Sequence, residues 1–155
     1  MTKLAVIALL VGGSAAAQEN ERPILVISAA ATPGAAGGSL GVFRQEGRLR
    51  YGFSALVTAG DSSWAGASLD ARWSFLQGPF TPYVGLGLGA FSAHRGGVDL
   101  GIQPTAAAEA GIEFHRFFAG ARALVPLTSR SSGVAEHDVP GAGDPALLAQ
   151  FGFRI

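Results

Sequence analysis

The sequence predicts an all-β fold, an eight-stranded antiparallel up-and-down transmembrane β-barrel. Three observations predict it. First, residues 104–127 alternate with period two around a break at His115-Arg116. Ala106, Ala108, Ala110, Ile112 and Phe114 share one face, and Phe117, Ala119, Ala121, Ala123, Val125 and Leu127 continue it after the break. Successive strand side chains point to opposite faces, so this is a hairpin of two strands. Second, its charges, Glu109, Glu113 and Arg122, all fall on the other face. Apolar outside with small and charged residues inside is the polarity of a barrel standing in lipid. Third, the pattern recurs in eight runs, an even number.

The remaining elements follow in order. Lys3, the apolar run Leu4 to Val11 and Ala15-Ala16-Ala17 read as a secretory signal peptide over 1–17, cleaved after Ala17. That run is too short to span a bilayer as a helix. Residues 18–22 form a polar periplasmic leader, and 23–155 the barrel. Ile24 to Ala31 is the first strand, apolar on both faces. Thr32 to Gly38, with Pro33 and three glycines, reads as a loop, and Ser39 to Gln45 as the second strand. Glu46-Gly47 is a two-residue hairpin signal. Arg48 to Thr58 alternates cleanly, with Leu49, Tyr51, Phe53, Ala55 and Val57 on one face and Arg50 on the other. Gly60 to Ser62 turns into the fourth strand, Ser63 to Leu76, where Trp64, Asp70 and Arg72 face inward.

Gln77 to Phe80 contains Gly78-Pro79, a tight turn into the fifth strand, Thr81 to Ala93. Centring the hairpin on Gly78-Pro79 sets Arg72 opposite Gly85 and Asp70 opposite Gly87, so that glycine leaves room for bulky charge. His94 to Gln103 reads as a glycine-containing loop and Thr128 to Pro145 as the longest, mostly polar one. In the 104–127 hairpin Phe114 meets Phe117 and Glu109 faces Arg122, a favourable cross-strand pair. Ala146 to Ile155 is the last strand. Connections after even-numbered strands are short and those after odd-numbered strands tend to be longer, which places the short set in the periplasm and the long set outside.

Aromatic residues collect toward the expected periplasmic ends. Tyr51, Phe53, Trp73, Phe75, Tyr83, Phe114, Phe117, Phe151 and Phe153 form the expected girdle, with Phe43, Phe80 and Phe118 at the same level. Trp64 and Phe91 make a thin opposite girdle.

With these residues in view, the chain resembles the small eight-stranded outer-membrane barrels of Gram-negative bacteria, the OmpA/OmpX-like superfamily. The carriers are Thr81-Pro82-Tyr83-Val84-Gly85-Leu86-Gly87-Leu88-Gly89-Ala90 and the C-terminal Leu148-Ala149-Gln150-Phe151-Gly152-Phe153-Arg154-Ile155. The resemblance implies an outer-membrane location, lipid and lipopolysaccharide as surroundings, and recognition of the last strand by the barrel-assembly machinery. That signal usually ends in an aromatic residue, whereas this chain ends in Ile155. The resemblance is specific for architecture and names no activity.

Composition narrows the chemistry. Beyond the signal there remain ten arginines, no lysine and eleven acids, a net charge of −1. This leaves no basic footprint for nucleic acid. Cysteine is absent, which removes disulfides, thiolate metal sites and cysteine nucleophiles. Gly85-Leu86-Gly87-Leu88-Gly89-Ala90 matches the dinucleotide fingerprint in letters, but strand and loop follow it instead of the helix that chemistry requires. No cofactor or metal is expected. His94, His137, Asp99, Glu136, Asp138 and Asp144 read as solvated loop charge.

The inward charges Arg50, Asp70, Arg72, Glu109, Glu113, Arg122 and Arg154 are the candidate site. They read as an ionic plug, because eight strands enclose a space just wide enough for side chains to fill. Ser92 and His94 prompt comparison with small outer-membrane lipid A deacylases, which use His, Ser and Glu. Here Ser precedes His, and parity sends Glu109 and Glu113 through the wall from that histidine, out of reach. The sequence therefore predicts a monomeric non-enzyme with a plugged polar interior and a structural or surface-interaction role through loops 94–103 and 128–145. The alternatives are a lipid A- or phospholipid-modifying enzyme, or a soluble lipocalin-like periplasmic binder.

Overall fold

The computed structural model describes residues 23–76, 78–95, 98–127 and 145–155. The expected signal peptide, the 18–22 leader and all of the expected 128–145 loop except Pro145 lie outside these residues. Eight strands follow one another: β1 (Ile24–Thr32), β2 (Ala35–Glu46), β3 (Leu49–Gly60), β4 (Ser62–Ser74), β5 (Phe80–Arg95), β6 (Val98–Phe114), β7 (Phe117–Pro126) and β8 (Ala146–Arg154). Each pairs antiparallel with the next, and β8 returns to pair with β1, so the sheet closes without an edge. The start of β1 and the end of β8 mark the near end of the barrel; the opposite rim is the far end.

Parity sets the two faces. Leu40, Val57, Leu69, Leu86, Leu88, Ile102 and Leu147 stay exposed on the outside, while Arg50, Asp70, Glu109, Glu113 and Arg122 are buried inside. A soluble barrel, the lipocalin-like alternative, would carry polar residues on that outer face. The registers read from sequence recur here. Phe114 pairs with Phe117 and Glu109 with Arg122, and Arg72 and Asp70 face Gly85 and Gly87.

Several connections differ from the sequence reading. Glu46 pairs with Leu49, so the turn is Gly47-Arg48 rather than Glu46-Gly47. Gly47 has φ 60° at the first central position, where a side chain would strain. The expected 32–38 loop is strand up to Thr32 and again from Ala35, leaving Pro33-Gly34 as the turn. The expected 94–103 loop is likewise two strands, joined at residues 96–97. Glycine misled both expectations, because in this barrel it mostly marks close packing within strands. Gly34 in its turn and Gly101 are exceptions, the latter with φ 69° at a bulge that breaks the β5–β6 register between Ser92 and His94. The described far-end turns at Pro33-Gly34 and Asp61 are as tight as the near-end ones, while nearly all of the β7–β8 connection, the longest at the far end, lies outside the described residues.

Bulky inward side chains lie over glycines. A Cβ on Gly41 would stand 2.5 Å from the Phe43 ring, and one on Gly66 2.6 Å from Phe91. On Gly111 and Gly120 it would meet the Tyr83 hydroxyl at 2.8 and 2.9 Å. Gly41→Ala should therefore lower stability by about 1–3 kcal/mol, the usual cost of overpacking. Gly78→Ala, with open space around it, should change stability by less than about 0.5 kcal/mol. Urea unfolding of both variants in lipid vesicles measures the contrast.

Candidate functional site

The site is the interior of the barrel, and alternation on every strand delivers its side chains. From the near end upward, β6 contributes Glu113 and Glu109, β4 contributes Arg72, Asp70 and Ser68, β3 contributes Arg50 and Ser54, and β7 contributes Phe118 and Arg122. All seven sequence-selected charges face inward, and ion pairs link them in two groups.

At the near end Glu113 lies between two arginines. It pairs with Arg50 through both carboxylate oxygens and with Arg154 at 3.1 Å. Arg50 Nη2 also donates to Gln45 Oε1 at 3.2 Å, and Arg154 donates to the His115 carbonyl. Arg154 is the least covered of the seven, as suits its place at the rim.

The second group lies deeper. Glu109 pairs with Arg72, whose Nη2 donates to Oε2 at 3.2 Å. Arg72 Nε and Glu109 Oε1 are also in ionic contact, although off the axis of a good hydrogen bond. Arg72 Nη1 has no acceptor, and aromatic rings surround the guanidinium instead. Its carbon stands 4.8 Å from the Phe43 centroid, 5.5 Å from Phe118 and 5.6 Å from Tyr83, which makes three cation–π contacts. Arg50 and Arg72 are direct cross-strand neighbours, a like-charge pairing that would be unfavourable alone. Each points to its own glutamate, which resolves the conflict.

Arg122 is 2 % exposed and holds the middle of the barrel. Its Nη2 donates to Asp70 Oδ1 at 2.8 Å and to Ser68 Oγ at 2.7 Å, and its Nη1 reaches Asp70 Oδ2 at 3.3 Å. Ser54 donates to the same carboxylate. Glu109, its neighbour in register, lies farther away at 3.9 Å. The cross-strand pairing read from sequence is thus present in the ladder, while the closer ion pairs are Arg72–Glu109 and Arg122–Asp70. Lumenal side chains are long enough to choose partners beyond the adjacent strand.

The girdles expected from level along the strand differ from the structure, although strand parity places Tyr83 and Trp64 inward. The expected girdle residue Tyr83 is buried inside, because it shares parity with Gly85 and its hydroxyl lies over Gly111 and Gly120. Phe43 and Phe118 join it, whereas Tyr51, Phe53, Trp73, Phe75, Phe80, Phe114, Phe117, Phe151 and Phe153 are at least partly exposed. Trp64 and Phe91, expected as a far girdle, are also inside. They form a second, apolar layer with Leu56, Leu100, Leu124 and Leu148. The near half therefore carries the charges, packed with Phe43, Tyr83 and Phe118, and the far half carries the larger apolar cluster, with Thr58, Gln103 and Thr105 buried at the same level. Inward Leu56, Leu124 and Leu148 were the available signal.

Ser92 and His94 lie on the outer face of β5, and Glu109 and Glu113 on the inner face of β6, so that foursome does not assemble. Among the described residues no cluster of three His, Asp or Glu could hold a metal ion. Gly85 to Ala90 is strand, with no helix to receive a pyrophosphate.

By sequence the chain matches no family model and no curated protein. Solved structures share its architecture. Neisserial surface protein A matches with a TM-score of 0.58 at 16% identity, over 88% of this chain and 99% of that one. The fold is that of the small eight-stranded outer-membrane barrels. The N-terminal barrel domain of Pseudomonas aeruginosa OprF gives 0.53 at 21% identity, covering 88% of this chain and 100% of its own. The outer-membrane enzyme PagL gives 0.55 at 16% identity, over 85% and 98%. At such identities the likeness is one of fold.

Removing one member of the central pair leaves the other buried without a counter-charge. Arg122→Met should cost about 3–5 kcal/mol, and Arg122→Met with Asp70→Leu should recover much of that loss. A double-mutant cycle by urea titration in vesicles reads the coupling; strictly additive losses would contradict the pairing.

Proposed function

We propose that this chain is a non-conducting barrel of the bacterial outer membrane, with a structural or surface-interaction role carried by its exposed rim. The sealed interior supports this reading above all. The Arg122–Asp70–Ser54–Ser68 cluster fills the middle, and the layer of Trp64, Phe91, Leu56, Leu124 and Leu148 closes the far half. Water and ions cross a lumen only through wettable space, and apolar constrictions resist them. The apolar outer face and the fold of its structural neighbours support the location, with lipid and lipopolysaccharide as surroundings.

In this reading the barrel is monomeric, and the alternating β8, Leu148 to Ile155, is the segment offered to the assembly machinery. The 94–103 segment, mostly strand, enters this role as the far-rim end of β5 and β6, beside the 128–145 connection. The fold itself hosts both a surface protein and an enzyme among its neighbours, so it does not choose a role.

Purified protein reconstituted in planar bilayers should show no reproducible unitary conductance. Regular single-channel steps would contradict the sealed lumen.

A further inference from the structure

The two ends of the barrel carry opposite charge. At the near end Arg44, Arg48 and Arg116 are exposed, and Glu46 is the exposed acid among the described residues there. Upstream of β1 the sequence adds Glu19, Glu21 and Arg22, and the near-end balance stays positive. At the far end Asp61 and Asp99 are exposed, with Arg95 as the described cation. The 128–145 connection adds Arg130 against Glu136, Asp138 and Asp144, so that end is acidic.

Register fixes where the near-end cations stand. Arg44 on β2 is the direct partner of Tyr51 on β3. Their neighbours Phe43 and Arg50 are buried inside, so Arg44 and Tyr51 share the outer face. The next outward pair, Val42 and Phe53, is 48% and 47% exposed and begins the apolar belt. Arg48 lies beyond, in the β2–β3 turn. Its carbonyl accepts from Ser74 N at 2.9 Å, which sets it beside Trp73, the partner of Leu49. Arg116 stands in the β6–β7 turn, on the opposite side of the ring, next to the exposed rings of Phe114 and Phe117. Among the described residues no acid forms an ion pair with the Arg48 or Arg116 side chain. Glu46 instead accepts from the Tyr51 hydroxyl at 2.5 Å. Arg154, by contrast, is turned inward to Glu113.

We propose that Arg44, Arg48 and Arg116 form a collar that selects phospholipids of net negative headgroup charge in the leaflet at the near end. Partly exposed aromatic rings mark the level where acyl chains give way to headgroups, and the three arginines lie just outside that level. They therefore stand at the height of the lipid phosphates. An arginine stem lies along apolar surface while its guanidinium reaches into the headgroup layer. The guanidinium stays charged and offers two parallel hydrogen bonds to a phosphate, which a lysine does not. The chain beyond the signal carries ten arginines and no lysine, in keeping with that use. A zwitterionic headgroup brings its own cation to compete for the phosphate, whereas an anionic one does not. Charge, and not phosphate alone, is what the collar selects.

The collar rests on the membrane reading above, and its test separates the two. Of the two tryptophans, Trp64 is buried in the lumen and Trp73 is 47% exposed on the outer face. Quenching of Trp73 by brominated lipid therefore reads the lipid beside Arg48. The protein is refolded into phosphatidylcholine vesicles containing either brominated phosphatidylglycerol or brominated phosphatidylcholine at equal mole fraction. Phosphatidylglycerol should bind beside Trp73 roughly fivefold more strongly, the attraction one arginine feels at an anionic surface. Salt near 1 M, where the Debye length is about 3 Å, should lower that preference. Arg44→Gln with Arg48→Gln should bring it close to one, whereas Arg116→Gln, across the ring, should leave it unchanged. Native mass spectrometry should show phosphatidylglycerol adducts that the triple variant loses. Heat-modifiability of every variant on gels controls for folding. Equal quenching by both lipids in inserted protein, or a preference that survives the triple substitution, would overturn the collar. Protein that does not enter vesicles would overturn the membrane reading itself, and the collar with it.

Discussion

Arg122 sets the terms for the interior. A guanidinium 2 % exposed in a closed barrel is out of reach of solvent and needs a counter-charge beside it. Asp70 and the hydroxyls of Ser54 and Ser68 have to stand where they do, which fixes the inward faces of β3 and β4. Glu109 is thereby free to take Arg72, and Glu113 to take Arg50 and Arg154. Four cations and three anions thus settle into two neighbouring ion-paired groups. Their small positive excess lies at Arg72, which three aromatic faces receive, and at the half-open Arg154.

Glycine makes this filling possible. Eight strands leave little room, so each large inward group needs a neighbour without a side chain. Phe43 lies over Gly41 and Gly52, Glu109 over Gly85, Asp70 beside Gly87, and Phe118 over Gly152. The same economy explains the two-layer interior. Polar groups that can satisfy one another gather in the near half, while the far half, with Trp64, Phe91 and the leucines, is packed as a small apolar core. A charge ladder open at both ends could conduct. One capped by an apolar layer supports the proposed plug.

Much of this was legible in the sequence, and the boundary of legibility is physical. Period two gave the faces, so the inward placement of Arg50, Asp70, Arg72, Glu109, Glu113, Arg122 and Arg154 could be read directly. Turn centres gave the register of β4 with β5 and of β6 with β7. Partner choice could not be read, because Arg122 reaches Asp70 across the lumen, past its ladder neighbour Glu109. Tyr83 was read as girdle from its level along the strand, although its parity with Gly85 already placed it inside. The glycines of 32–38 and 94–103 were read as loop, yet most lie in ladders.

The claim on which the account rests is that the chain closes into a lipid-facing barrel around a filled interior. The most direct measurement is electrophoresis of the detergent-extracted outer-membrane fraction, with and without boiling. A band confined to that fraction should migrate differently before and after heating, as a closed ladder resists unfolding in detergent. A single unshifted band in the periplasmic fraction would contradict it. The apolar outer face would then have to be explained without lipid.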